Sequence, residues 1–78
     1  MQIKLTVKGG GVLYGFDYND IALGLYELSL APSESFEDWM RKTAKRIDVQ
    51  FGYPIRSDNS EEFVADLITF GLLTREEV

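Results

Sequence analysis

Three carboxylates, Glu61, Glu62 and Asp66, are the side chains whose spacing most invites chemistry. Clustered carboxylates hold hard cations, and two of them in unlike environments across a cleft act as the acid and base of glycoside hydrolysis. The second use requires one carboxyl to be buried so that its pKa rises. On a helix of a 78-residue domain the three form a solvated face instead. The role to expect there is electrostatic: negative charge presented to a basic protein, which speeds association.

The groups that would widen this repertoire are missing. The chain has no histidine and no cysteine, the side chains most used for zinc ligation, nucleophilic catalysis near neutral pH and redox chemistry. No catalytic residue, metal site or cofactor follows from what remains, and the chain reads as a non-enzyme. Gly9-Gly10-Gly11 lacks the downstream Gly-Lys-Ser/Thr of a phosphate loop and joins strand to strand, so it reads as a turn. Asp17-Tyr18-Asn19-Asp20 opens like a calcium loop, yet Ile21 stands where an oxygen ligand belongs and Ala22 where glycine belongs; it reads as a helix cap. Arg41, Lys42, Lys45 and Arg46 lie one turn beyond Glu34, Glu37 and Asp38, the arrangement of a dipole-matched, salt-bridged helix face.

Phe51-Gly52-Tyr53-Pro54-Ile55-Arg56 stands apart from these. It sets aromatic, aliphatic and arginine side chains in a connection between helices, and tyrosine and arginine are enriched at binding hot spots. Tyr53, Ile55 and Arg56, with Glu61, Glu62 and Asp66, are therefore the candidate partner-binding residues. The competing role is structural, with Tyr53 and Ile55 tucked over the core. A short edge strand through Val49, Phe51, Tyr53 and Ile55 also competes, Pro54 confining it to an edge.

The elements that position these residues follow from periodicity. Ile3, Leu5 and Val7 alternate with polar residues, and Val12, Tyr14, Phe16 and Tyr18 alternate again after the glycines, which predicts a β-hairpin. A two-residue Gly9-Gly10 loop sets Val7 opposite Val12, Leu5 opposite Tyr14 and Ile3 opposite Phe16, making one face apolar throughout. A four-residue loop keeps that phase, with Leu5 opposite Phe16. A three-residue loop that puts Lys4 opposite Phe16 and Thr6 opposite Tyr14 sends the two apolar sets to different faces and is rejected.

Asn19 and Asp20 are N-cap residues for a helix over residues 20–30, where Gly24 and the alternation of Tyr26, Leu28 and Leu30 leave a strand as the alternative. Pro32 ends that element. Ser35 to Asp38 has the spacing of a helix start, and Phe36, Met40, Ala44, Ile47 and Phe51 continue it as one stripe, with Trp39 and Thr43 beside them. Gly52 and Pro54 stop it. A third helix runs from Glu61 with Phe63, Leu67 and Phe70 inward, widened by Val64 and Ile68, and ends at Gly71. Leu72-Leu73 folds back on the core, and Thr74 to Glu77 repeats capping spacing, as if starting a last helical turn.

The expected fold is thus α+β, one domain over residues 1–78 in ββααα order, with the hairpin's apolar face on the two later helices. Its net charge of -5 falls in the last quarter: residues 1–57 balance, while residues 58–78 carry six acids against Arg75. Nucleic acid demands a basic footprint, so direct binding to it is not expected. Neither is a membrane span, because the longest uncharged apolar run, Ile21 to Tyr26, is far below the roughly 20 residues required. A cytoplasmic location is the default expectation, the N-terminus having no secretory apolar stretch.

The expected function is that of a small acidic adaptor, inhibitor or assembly factor. It binds another protein, for instance a basic one that handles nucleic acid, through its acidic C-terminal helix and aromatic loop. The alternative is a structural or assembly subunit that associates into homo-oligomers through the open hairpin edge or through exposed aromatic residues. In outline alone, without a shared motif, the order of elements resembles phage assembly or accessory proteins.

Overall fold

Ile3, Leu5 and Val7 form the middle strand of a three-stranded antiparallel sheet. In the computed structural model, which describes residues 2–29 and 35–77, the elements are β1 (Ile3–Val7), β2 (Val12–Gly15), α1 (Tyr18–Leu28), α2 (Phe36–Phe51), α3 (Ser60–Thr69) and β3 (Leu73–Glu77). The expectations for Leu30, Pro32 and Glu34 lie outside the described residues. The fold is α+β, with an N-terminal hairpin followed by three helices, and the sheet order is β2-β1-β3.

The hairpin register differs from the one expected. Its loop has three residues, Lys8 to Gly10: the Val7 N–H donates to the Gly11 carbonyl at 2.9 Å and the Gly10 N–H to the Val7 carbonyl at 3.0 Å. Gly9, Gly10 and Gly11 all take positive φ, which lets the chain reverse this tightly. Leu5 faces Leu13 and Ile3 faces Gly15, so Leu13 and Gly15 point inward. Val12 and Tyr14 are turned to the other face, and Phe16, just beyond the strand, is exposed as well. Both alternating sets of β2 are apolar, so period-two counting selects the bulkier one. Packing selects the other. At Gly24 of α1 an added Cβ would stand only 3.2 Å from Leu13 Cδ2, so the helix sits close above Leu13 and leaves no room there for a tyrosine or phenylalanine.

Residues 20–30 are helical as far as Leu28, not strand. The cap comes earlier than expected, at Asp17, whose carboxylate accepts from the Asp20 N–H at 2.9 Å. Asp20 turns back to accept from the Phe16 N–H at 2.9 Å, pinning the turn between β2 and α1. Ser35 caps α2 by accepting from the Asp38 N–H, and Gly52 ends it in the left-handed conformation. Asn59 caps α3, one residue before the expected start. Residues 52–57 form no strand, so the edge-strand alternative for that segment does not hold.

Thr74 to Glu77 does not start a helix. It continues from Leu73 as β3, pairing along β1 from Val7–Leu73 to Ile3–Glu77. Capping spacing is a local signal, and the unpaired backbone of β1 outweighs it by supplying a full ladder of hydrogen bonds. The packing partners differ too. The hairpin's inner face meets α1, which folds straight back over β2, while α3 lies on β3 and α2 packs on α1 and α3. The core gathers Leu5, Leu13, Ile21, Trp39, Phe63 and Leu73 with their neighbours between the helices and this one face of the sheet.

Candidate binding surfaces

The connection between α2 and α3 brings three of the predicted site residues, Arg56, Glu62 and Asp66, together as a clamp. Arg56 reaches the Asp66 carboxylate on α3 with Nε at 3.0 Å and Nη2 at 3.0 Å, and its backbone N–H donates to the same group at 2.8 Å. Glu62 adds an ion pair with Arg56 at 3.5 Å. The Asp66 side chain is only 13% exposed. The hydrogen bond from Arg56 holds its carboxyl below the usual carboxylate range, against the opposing effect of burial.

Ile55 packs against the core. Tyr53 stacks on Phe70 at 4.8 Å, and Phe51 stacks on Tyr53 at 5.6 Å. Glu61 is exposed at the start of α3. Three of the six candidates, Arg56, Glu62 and Asp66, thus meet directly, Arg56 taking up two of the three acidic side chains, while Tyr53 and Ile55 make separate packing contacts. Beside it, Arg41, Lys45 and Arg56 line an open groove of about 450 Å³ with Asp48 among them. Arg41 is ion-paired to Asp38 three residues before it, so the helix face is salt-bridged, with Asp38 and not Glu37 as the Arg41 partner in that pair.

A second surface lies on the sheet, at the hairpin edge that the sequence offered only as the alternative. Among the described residues the helices all lie on one side of the sheet, and none covers the other side. Val12 is 46% exposed, Tyr14 55% and Phe16 72%. Of the ten aromatic residues in the chain, seven have ring partners and Tyr18 has a cation partner. Tyr26, Phe36, Trp39 and Phe63 form an edge-on and stacked cluster between the helices. Phe51, Tyr53 and Phe70 form the stack just described, and Tyr18 lies under the Arg75 guanidinium at 5.6 Å. Tyr14 and Phe16 have neither a ring nor a cation partner.

These two residues sit at a free strand edge. The Val7–Gly11 pair is hydrogen-bonded, and such pairs alternate in an antiparallel ladder. Leu13 and Gly15 therefore turn their backbone groups to β1, while Val12 and Tyr14 turn theirs outward. No charged residue occurs from Gly9 to Phe16. The opposite edge, β3, carries Arg75, Glu76 and Glu77. Charge on a strand edge is a common defence against pairing with other chains; β3 has it and β2 does not. The signal available in the sequence was this run of uncharged residues, not its period.

No family model, curated protein or solved structure matches the chain. The surfaces must be read from their own chemistry. Among the described residues no helix is long and apolar enough to cross a membrane. An apolar groove of about 290 Å³ also opens between α2 and the hairpin end of the sheet, lined by Val7, Leu25, Trp39, Ile47 and Leu72 among others.

Proposed function

We propose that the protein is a non-catalytic protein-binding module, an adaptor, inhibitor or assembly factor, that takes up an extended segment of its partner along β2. The observation that carries this reading is the open, uncharged edge of β2, flanked on the sheet's bare face by Tyr14 and Phe16. In strand addition main-chain hydrogen bonds supply affinity, and alternate side chains supply specificity. Here Val12 and Tyr14 offer the main-chain groups, and Val12, Tyr14 and Phe16 offer apolar contact. The matching segment is extended and uncharged, with apolar residues at alternate positions. An acidic docking face is the weaker reading, because Arg56 engages both Asp66 and Glu62 and offsets one of their two charges.

Affinity capture with mass spectrometry tests the choice when run on the native chain beside Tyr14→Lys and a Glu61→Lys/Glu62→Lys variant. Proteins held by the native chain and the acidic-face variant, but lost from Tyr14→Lys, support docking on β2, as does retention at high salt. A set that ignores Tyr14→Lys, or that dissolves steeply with rising salt and with the Glu61/Glu62 reversal, overturns it in favour of the acidic face.

A further inference from the structure

We infer that the strand seated on β2 is the β2 of a second copy, giving a two-fold dimer with a continuous six-stranded sheet. The inference rests on β2 being a docking edge, and goes further by naming the occupant. The edge is self-complementary. With the two-fold axis passing at Leu13, Val12 of each copy faces Tyr14 of the other, and the two outward-turned residues exchange both of their main-chain hydrogen bonds. Four such bonds close the seam. On the helix-covered side Leu13 meets Leu13, and at each end Gly11 meets Gly15. On the open face Phe16 extends over Gly10, where no side chain obstructs it. The Phe16 N–H is already spent on Asp20 at 2.9 Å, so the ladder has no reason to run further.

Charge selects the same arrangement. Two copies of a chain carrying -5 repel one another wherever their acids approach, and residues 9–16 are a stretch along which neither copy brings any charge. Pairing β2 with β3 instead would lay this uncharged strand along Arg75, Glu76 and Glu77, and by repeating head to tail would build an open filament. The isologous β2 seam closes after two copies.

Because the chain is free of cysteine, the register can be read directly. Facing residues of a hydrogen-bonded pair have Cα atoms about 5.5 Å apart, within disulfide range. Mixing a Val12→Cys variant with a Tyr14→Cys variant under mild oxidation is expected to give a disulfide-linked pair on a non-reducing gel, with at least a several-fold lower yield from either variant alone. Light scattering on the native chain should approach twice the 8.9 kDa chain mass as concentration rises, and Tyr14→Lys should return it to one chain mass with an unchanged circular dichroism spectrum. A native chain that stays monomeric up to about 1 mM, the weakest association worth the name, overturns the dimer; if its protein partners still depend on Tyr14, docking on β2 stands without it. A dimer that survives Tyr14→Lys, with partners equally indifferent, overturns both.

Discussion

Arg56 works as a structural residue. Its guanidinium and its own backbone N–H converge on one carboxylate, Asp66, so the connection leaving α2 is tied to α3 at a single point. The Asp66 pKa is lowered in the folded chain, which fixes the sign of its linkage. The stabilisation is complete above the unfolded value of about 3.9 and is lost as pH falls through the lower folded value. Asp66→Asn keeps the shape and removes the charge. It should lower the melting temperature at neutral pH and flatten the fall in stability between about pH 5 and pH 2, measured by thermal denaturation over a pH series. The residue types at positions 53, 55, 56 and 66 marked this region in the sequence. That Arg56 and Asp66 serve each other was hidden, because nine residues of intervening chain must fold before they meet.

The helices were legible because their signals are local. Ser35 and Gly52 bracket α2 as caps, and the apolar stripe between them is continuous. Gly52 offers a clean test, since an added Cβ there meets nothing within 4 Å and its φ is 75°. Gly52→Ala therefore loses only the backbone preference, about 1–2 kcal/mol, and should lower the urea midpoint by that free energy divided by the denaturant slope, with the slope itself unaltered. The strands were less legible. In β2 both faces are apolar, so the inward set was decided by the close approach of α1 at Gly24 rather than by the pattern. In β3 the residues Thr74-Arg75-Glu76 have little to recommend them as strand. They are held by pairing with β1, helped by the Lys4–Glu76 ion pair at 3.3 Å and by Arg75 donating to the Tyr18 hydroxyl at 2.9 Å. Strand preference of this kind belongs to the neighbours more than to the residues.

At the scale of the whole molecule, stability is limited by size. At 0.05–0.15 kcal/mol per residue a chain of this length holds about 4–12 kcal/mol. Leu73 is 3% exposed, and losing a leucine so buried costs about 2–5 kcal/mol before any ladder bonds are counted. A chain ended at Leu72 should accordingly show no cooperative thermal transition by circular dichroism; a transition within a few degrees of the native one would show that α3 and the hairpin hold together without β3.

The pairing of β1 with β3 also sets an order of events. Ile3 lies beside Glu77, so the central strand is made early and its second neighbour is made only after all three helices. Contacts this distant along the chain form slowly. On the ribosome the hairpin must wait through the synthesis of α1, α2 and α3 with the second edge of β1 bare, an edge that the finished sheet covers with β3 and replaces by a charged one. A chaperone that binds nascent strands therefore has its best opportunity before β3 is made, and loses the β1 edge when β3 closes over it.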